Sequence, residues 1–177
     1  MVMQNFQIIY PLKNTDIESI LNIYNRFSVR IIQQEHELFY VEKREVENEN
    51  VCVRLDAWVQ KKYRLKNKSH HFLRLDKWSW IKSHRPQSPR TIITMLEKSE
   101  DLVGGHMLLT DKHYDLPRLT KDHEIIGDSM HRSTVVPSTP KLDIGASLSY
   151  TPEALPAMSQ VEQGHQIVLV SQYVKNS

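Results

Sequence analysis

The stretch GHQIVLVSQYV, residues 164–174, contains four consecutive apolar side chains, IVLV at residues 167–170. A short apolar run of this kind, bounded by a glycine, is typical of a strand that is covered on both faces. We therefore predict that this stretch is a buried strand and that it belongs to a sheet.

The N-terminal part of the chain has clear local patterns. Apolar and polar residues alternate over residues 4–11, which predicts a strand. Thr15 and Glu18 have the spacing of a capping box, and the apolar residues that follow recur at helical spacing. These features predict a helix over residues 16–27, and the β-branched and aromatic content of residues 28–46 predicts one or two further strands.

Two similar stretches follow, VCVRLDAWVQKKYR at residues 51–64 and HFLRLDKWSWIKSHR at residues 71–85. Both contain the string RLDxW, and apolar residues alternate in each. Alternation on both sides of the polar KNKS segment at residues 66–69 is typical of paired antiparallel strands. We therefore predict a basic hairpin over residues 51–82.

The rest of the chain is less regular. Residues 91–97 fit a helix, Gly104 and Gly105 predict a turn, and residues 106–109 fit a short strand. Five of the eight prolines fall in residues 110–160, which predicts a loop-rich segment with a short helix after Thr151. The predicted fold class is α+β, a single domain over residues 1–177 with a mainly antiparallel sheet, two or three helices and a loop-rich C-terminal third.

Composition excludes several classes of protein. Of the 177 residues, 40% are hydrophobic and 25% are charged, which is typical of globular proteins and not of disordered or fibrous chains. The single cysteine, Cys52, cannot form an intramolecular disulfide, so a reducing compartment is favoured. Residues 1–13 lack the pattern of a signal peptide, and no apolar run is long enough to span a bilayer. We predict a cytoplasmic or otherwise intracellular protein.

Charge is distributed unevenly along the chain. Residues 61–90 hold ten basic side chains and one acidic side chain, for a net charge of +9, whereas the remaining residues carry −7. The predicted polyanion-binding side chains are Lys61, Lys62, Arg64, Lys66, Lys68, Arg74, Lys77, Lys82, Arg85 and Arg90. Aromatic rings among these cations could stack on bases, and the predicted stacking side chains are Tyr63, Phe72, Trp78 and Trp80. This combination predicts a non-enzymatic protein that binds RNA or single-stranded DNA.

Other interpretations of the basic segment stay open. Its charges could simply solvate the outer face of a hairpin. They could also bind an anionic membrane or a nucleoprotein, as in a peripheral, self-assembling, viral matrix-like structural protein that forms a homo-oligomer. PSTP at residues 137–140 resembles the late-domain tetrapeptide of some viral structural proteins. RLDKWSW, which begins at Arg74, resembles the start of the small RNA-binding domain named after the fourth protein of the small ribosomal subunit, and this resemblance implies a helix there.

An enzyme is a third interpretation. His113, Asp115 and a later histidine such as His131 resemble the two-histidine, one-carboxylate triad of the non-haem iron oxygenases. In that family several strands separate the two parts of the triad, and the interval between Asp115 and His131 is too short to supply them. IIGDSMH at residues 125–131 resembles the GDS block of the SGNH hydrolases, which implies Ser129 as a nucleophile, but in place of the expected DxxH the chain offers only Glu162 to His165, with Glu instead of Asp. We therefore predict no catalytic residues, no metal and no cofactor.

Overall fold

The computed structural model describes residues 5–36, 39–46, 50–81, 85–109, 118–119, 125–126 and 138–177. The helical elements in these ranges are α1 (Asn14–Phe27), α2 (Val53–Tyr63) and a 3-10 turn (Pro152–Ala154). The strands are β1 (Phe6–Ile9), β2 (Val29–His36), β3 (Phe39–Glu45), β4 (Leu65–Leu75), β5 (Arg90–Lys98), β6 (Val103–Gly104), β7 (Met107–Leu109), β8 (Arg118–Leu119), β9 (Ile125–Ile126), β10 (Ser147–Tyr150), β11 (Pro156–Met158), β12 (Val161–Gln163) and β13 (Gln166–Lys175).

The main sheet has seven strands in the order β1-β10-β5-β13-β4-β3-β2, and all neighbours are antiparallel. Its central strand is β13, which pairs with β4 on one side and with β5 on the other. Residues 167–170 are all buried, so the strand predicted from this apolar run is confirmed. A mainly antiparallel sheet with two α-helices also agrees with the predicted α+β class.

A second, smaller layer faces the main sheet. In this layer β11 pairs with β7 and β12 pairs with β6, so the segment from β11 to β12 lies beside the segment from β6 to β7. Two isolated bridges extend the layer at its margins, Ile81 to Met158 and Leu109 to Ser138. The short strands β8 and β9 pair with each other and form no ladder with the other described strands.

Each face of the main sheet packs against a different partner. Val168 and Val170 of β13 belong to a core shared with the second layer, which also contains Met107 and Met158. Ile167 and its neighbours on the opposite face belong to a core shared with α1 and α2. Because side chains alternate across a strand, a continuous apolar run is what a strand between two cores requires.

The predicted basic hairpin over residues 51–82 is wrong. Its first half is α2, and its KNKS segment lies inside β4 instead of at a turn. Leu55 and Val59 are buried at helical spacing, whereas Val53, on which the alternation depended, is 61% exposed. The helix ends at Arg64, which adopts a left-handed backbone conformation with φ of 58°.

The prediction of a helix over residues 91–97 is also wrong, since these residues form most of β5. Residues 91–96 are all buried because β5 separates the two cores, and a short buried strand has no periodicity that distinguishes it from a buried helix. The helix implied at RLDKW is absent too, because Arg74 and Leu75 end β4 and a turn follows.

The other local predictions agree with the structure. β1 lies within the strand predicted at residues 4–11, α1 covers the predicted helix, and β2 and β3 occupy the predicted strand region. In α1 the backbone N–H of Lys13 donates to Asp16, so the cap lies slightly earlier than the Thr15 and Glu18 pair suggests.

The segment predicted to be loop-rich, residues 110–160, is described only in part. That part contains β10, β11 and the 3-10 turn as well as loops, so it is more regular than predicted. The PSTP segment begins outside the described residues. Among the described helices, none combines the length and the apolar character that crossing a bilayer requires.

Candidate functional site

A cavity with a volume of about 340 Å³ opens between the two layers, and we call it the chamber. This volume is within the range of small-molecule sites. Strands of the main sheet, the second layer and the loop before β5 all contribute to its wall. The lining residues are Lys68, His71, Leu73, Ile81, Arg85, Pro86, Gln87, Ser88, Thr91, Ile93, Met107, Tyr150, Pro156, Ala157, Met158, Val170 and Gln172.

Two hydroxyl groups in the chamber wall are buried, those of Ser88, which is 2% exposed, and of Thr91, which is 3% exposed. Among the described residues, the Ser88 oxygen has no hydrogen-bond partner. Burial raises the pKa of the Tyr150 phenol, and the neighbouring Thr91 hydroxyl acts in the opposite direction. Buried polar groups are normally satisfied, so an unsatisfied hydroxyl in a cavity wall indicates a place for a ligand or water.

His71 is the histidine among the described residues of the chamber wall. Burial is the main cause that lowers its pKa to about 4, and the neighbouring charge of Lys43 lowers it further. Glu45, opposite His71 on β3, acts in the other direction, and His70 adds a small lowering effect. The ring is therefore neutral at pH 7 and can accept or donate a hydrogen bond.

This lowered pKa predicts a pH dependence of stability. Because the unfolded chain binds a proton at His71 near pH 6.5 and the folded chain does so only near pH 4, stability is complete above pH 6.5 and is lost as the pH falls toward 4. The loss from this group is at most about 3 kcal/mol. Denaturant unfolding of the parent and of His71→Gln at several pH values measures it. We expect a shallower acid-side loss in the variant, and parallel curves would contradict the low pKa of His71.

Two cations border the chamber. Lys68 and Arg85 both line it and both are exposed to solvent, whereas no described lining residue is an aspartate or a glutamate. The pKa of the exposed Glu153 carboxyl group is lowered mainly by the neighbouring Thr151 side chain and also by the charge of Arg85. The chamber thus combines a positive rim, buried hydroxyls and an apolar floor.

A second cavity of about 620 Å³ lies at the other end of the two layers, beside Lys98 and Gln166. The buried side chain of Gln166 already donates to the carbonyl oxygen of Gly105. The backbone N–H of His106, at the same cavity, donates to Ser159 Oγ. Since these polar groups have partners within the protein, the chamber is the better candidate site.

The described residues contain no group of three or more histidine, cysteine, aspartate or glutamate side chains placed to hold a metal ion. His113, Asp115 and His131 lie outside the described residues, and so does Ser129. The structure therefore leaves untested both the metal triad and the hydrolase nucleophile considered from the sequence.

The predicted polyanion-binding residues are spread over several parts of the fold. Lys61 and Lys62 are on the last turn of α2, and Arg64 follows it. Lys66 is exposed on β4, and Arg74 forms an ion pair with Asp76 at 3.0 Å.

The remaining predicted cations have different surroundings. Lys77 Nζ lies 4.9 Å from the ring centroid of Trp78. Arg90 lies 3.8 Å from the ring centroid of Tyr63 and donates to Ser149 Oγ. Lys82 is outside the described residues. Of the ten predicted cations, Lys68 and Arg85 are the two that the structure brings together at the chamber.

The predicted stacking residues differ in accessibility. Phe72 is fully buried and Trp80 is 6% exposed, so neither presents a ring to a base and both predictions are wrong. Trp78 is 54% exposed. Tyr63 lies between Arg90 and Trp58, whose ring centroid is 5.7 Å from that of Tyr63.

A buried polar network connects α2 to the main sheet. The Tyr173 hydroxyl donates to Asp56 Oδ1 at 2.7 Å, and His70 Nε2 lies 3.1 Å from Asp56 Oδ2. His70 Nδ1 lies 2.7 Å from Ser171 Oγ. Although serine, histidine and aspartate are arranged in series, Ser171 is fully buried, so the network holds the helix against the sheet and offers no accessible nucleophile.

Sequence reasoning misses the chamber residues His71, Ser88, Thr91 and Tyr150. They come from β4, the loop before β5, β5 itself and β10. Thr91 meets Tyr150 and Gln172 only because β5 pairs with β10 and β13. The only local signal is the isolated Ser88 between two prolines, which indicates a shaped loop but no chemistry.

Comparison with known proteins gives a fold and no family. No protein-family model matches the chain, and no curated protein matches its sequence. Among solved structures, an oxidoreductase of the 2-oxoglutarate (2OG)-Fe(II) oxygenase family from Burkholderia pseudomallei is similar with a TM-score of 0.69 and 11% identity, over 97% of this chain and 86% of that one.

Two further similar structures have the same fold. HygX from Streptomyces hygroscopicus, with nickel, 2-oxoglutarate and hygromycin B bound, has a TM-score of 0.69 and 13% identity, over 97% of this chain and 83% of that one. The viral collagen prolyl hydroxylase of Paramecium bursaria Chlorella virus-1, in complex with 2OG, has a TM-score of 0.57 and 14% identity, over 98% of this chain and 97% of that one. The two layers thus form the jelly-roll-like fold of these oxygenases.

This likeness corrects the interpretation drawn from the sequence. The prediction of a non-enzymatic, nucleic-acid-binding or viral structural protein is wrong, because the chain has the fold of 2OG-Fe(II) oxygenases along almost its whole length. The spacing of Asp115 and His131 spoke against a metal triad that includes His131, and that expectation stays untested because these residues lie outside the described ranges. That spacing concerns one pair of residues, whereas the fold is set by the pairing of β4, β5, β10 and β13.

Proposed function

We propose that the chain is an enzyme of the 2-oxoglutarate-dependent oxygenase type and that the chamber binds the 2-oxo acid. The observation that carries the proposal is the buried, unpartnered hydroxyl of Ser88 in a cavity bordered by Lys68 and Arg85. The same fold in 2OG-bound HygX and in the 2OG complex of the viral prolyl hydroxylase supports it.

The chamber residues fit an organic acid. A carboxylate at the rim would interact with Lys68 or Arg85, and the Ser88 and Thr91 hydroxyls could donate to its oxygens. The methylene groups of the acid would pack on Ile93, which is 5% exposed, and on its apolar neighbours. The side chains of this chain therefore bind and orient the acid and exclude water from its apolar part.

The described residues do not fit an iron centre. Non-haem Fe(II) oxygenases hold the metal with two histidines and one carboxylate, whereas the described chamber wall contributes one imidazole, that of His71, and no carboxylate. Metal ligands would have to come from outside the described residues, so we assign no residue to iron and derive no step of a reaction from it.

Binding and consumption of 2-oxoglutarate test the proposal separately. We expect the purified full chain to bind 2-oxoglutarate in calorimetry and to consume it when Fe(II), ascorbate and dioxygen are supplied. A protein denatured by heat before the assay is the control for consumption by free iron. The proposal fails if 2-oxoglutarate at millimolar concentration neither binds nor disappears, and binding without consumption would overturn the enzymatic part.

A further inference from the structure

We infer that the second cavity is a further binding site, separate from the chamber, which takes a small phosphate monoester and holds its charge between Lys98 and Lys141. The cations that border the chamber, Lys68 and Arg85, do not line the second cavity. The inference therefore goes beyond the proposed function and is tested with a different ligand.

Lys98 is the last residue of β5, and its side chain is partly buried where it lines the second cavity. Burial is the main cause that lowers the pKa of its amino group, so this ammonium has lost part of its hydration. A charge that is held partly out of water interacts more strongly with an opposite charge than a fully solvated charge does. Lys98 is therefore placed to bind an anion more strongly than an exposed lysine would.

Two lysines share one carboxylate at this cavity. Lys141 also lines it, and its Nζ lies 3.9 Å from Asp143 Oδ1. The charge of Asp143 raises the pKa of Lys98 and the charge of Lys141 lowers it, so all three groups are close enough to interact. Two positive charges beside one negative charge leave an excess of positive charge. An anion between the two lysines would relieve their repulsion.

The polar side of the second cavity favours a phosphate group. A lysine ammonium binds phosphate as a compact point charge, whereas planar, bidentate pairing with a carboxylate is typical of arginine. A phosphate monoester also carries more negative charge at pH 7 than a carboxylate does, and it has three acceptor oxygens. Thr139 lines the same cavity and supplies a hydroxyl that can donate to one of these oxygens.

The apolar side of the second cavity indicates that the phosphate belongs to an organic molecule. Met95, Leu142 and Met158 line it, and each is at most 4% exposed. An inorganic ion would make no apolar contact with these side chains, whereas carbon atoms of a ligand would be buried against them. The volume of about 620 Å³ is within the range of small-molecule sites. The ligand class is therefore a phosphate monoester with a small apolar group.

Calorimetric titrations of the full chain test this ligand class with three probes, which are phenyl phosphate, inorganic phosphate and benzoate. We expect phenyl phosphate to bind and the other two to bind at least about fivefold more weakly, because one lacks the apolar group and the other lacks the phosphate. Inorganic phosphate that binds as tightly as phenyl phosphate would overturn the choice of an organic ligand. Benzoate that binds as tightly would overturn the choice of a phosphate.

Variants locate the bound probe. Lys98→Met keeps a long side chain and removes its charge, and we expect it to weaken binding of phenyl phosphate by about tenfold. Lys141→Gln should weaken binding by about threefold, because Lys141 is exposed and its charge is better screened. Lys175→Gln is the matched control, since Lys175 is an exposed lysine at the end of β13 that lines neither cavity, and we expect less than about a twofold change.

Arg85→Gln is a second control, because it changes the chamber and leaves the second cavity intact. Melting curves of the four variants show whether each is folded, and the exposed position of Lys141 keeps the test valid if Lys98→Met does not fold.

Three results would overturn the inference. The first is absence of phenyl phosphate binding at millimolar concentration, and the second is binding that is equal in the parent, Lys98→Met and Lys141→Gln. The third is a loss in Arg85→Gln without a loss in Lys98→Met, which would place the probe in the chamber. None of these results decides the proposed function, which is tested with 2-oxoglutarate.

Discussion

Replacing Gly104 with alanine is expected to destabilise the protein by several kcal/mol. Gly104 has φ of +81°, and a Cβ atom built on it would lie 2.1 Å from the carbonyl oxygen of Gln160. That oxygen belongs to backbone and accepts a hydrogen bond from the N–H of Gly105, so it cannot move away without breaking the pairing of β6 with β12. The left-handed conformation costs about 1 to 2 kcal/mol for alanine, and the overlap costs about 1 to 3 kcal/mol more.

Gly145→Ala is the matched control. Gly145 has φ of +87°, but the nearest atom to its Cβ position is Ile17 Cγ1 at 3.9 Å, which is an ordinary contact. Only the conformational cost applies, so we expect a loss of about 1 to 2 kcal/mol. Urea unfolding of the two variants measures the difference. Equal losses in both variants would show that the close approach of the second layer at Gly104 is incorrect.

Helices and strands that pack against the core on one face are easier to predict from the sequence than strands that are packed on both faces. α1 presents a single apolar face, with Ile17 and Ile20 buried at helical spacing, and was predictable. β1 is at the margin of the main sheet and keeps a two-residue alternation. β5 separates two cores, so all its central positions are apolar or small, and local sequence does not distinguish such a strand from a helix.

α2 was missed because one set of residues fits two patterns. Val51, Val53 and Leu55 alternate as in a strand, while Leu55 and Val59 recur as in a helix. In the structure these residues are helical, and Asp56 on this helix accepts a hydrogen bond from the Tyr173 hydroxyl and lies beside His70. Contacts with residues so distant in the chain are not available to local reasoning.

The basic segment, residues 61–90, correctly indicated an excess of cations but led to a wrong prediction of function. The fold distributes the cations of this segment, and among the described ones Lys68 and Arg85 border the chamber. Lys68 on β4 and Arg85 in the loop before β5 lie at the same cavity because the fold places that loop beside β4. This placement is determined by pairing between strands that are far apart in the sequence. A count of charges along a chain therefore predicts a positive surface, and it does not predict what that surface binds.

Phe72→Ala is expected to cost about 3 to 5 kcal/mol of stability, the loss typical of an aromatic side chain removed from a core. Phe72 is fully buried between the main sheet and the helices, and its ring centroid lies 5.3 Å from that of Tyr24 on α1 in an edge-to-face arrangement. The substitution removes this contact and leaves a cavity beside α1, Leu169 and Tyr173.

Trp78→Ala gives the contrast, because Trp78 was predicted to have the same role as Phe72 and has the opposite environment. Trp78 is 54% exposed, and the described ring contact is with Lys77 Nζ at 4.9 Å. Its left-handed backbone, with φ of 74°, is retained in the alanine variant, so that cost is unchanged. We expect a loss below about 1 kcal/mol, as for other surface substitutions. Urea unfolding followed by circular dichroism measures both variants, and a loss in Trp78→Ala as large as that in Phe72→Ala would contradict the positions of these two rings in the fold.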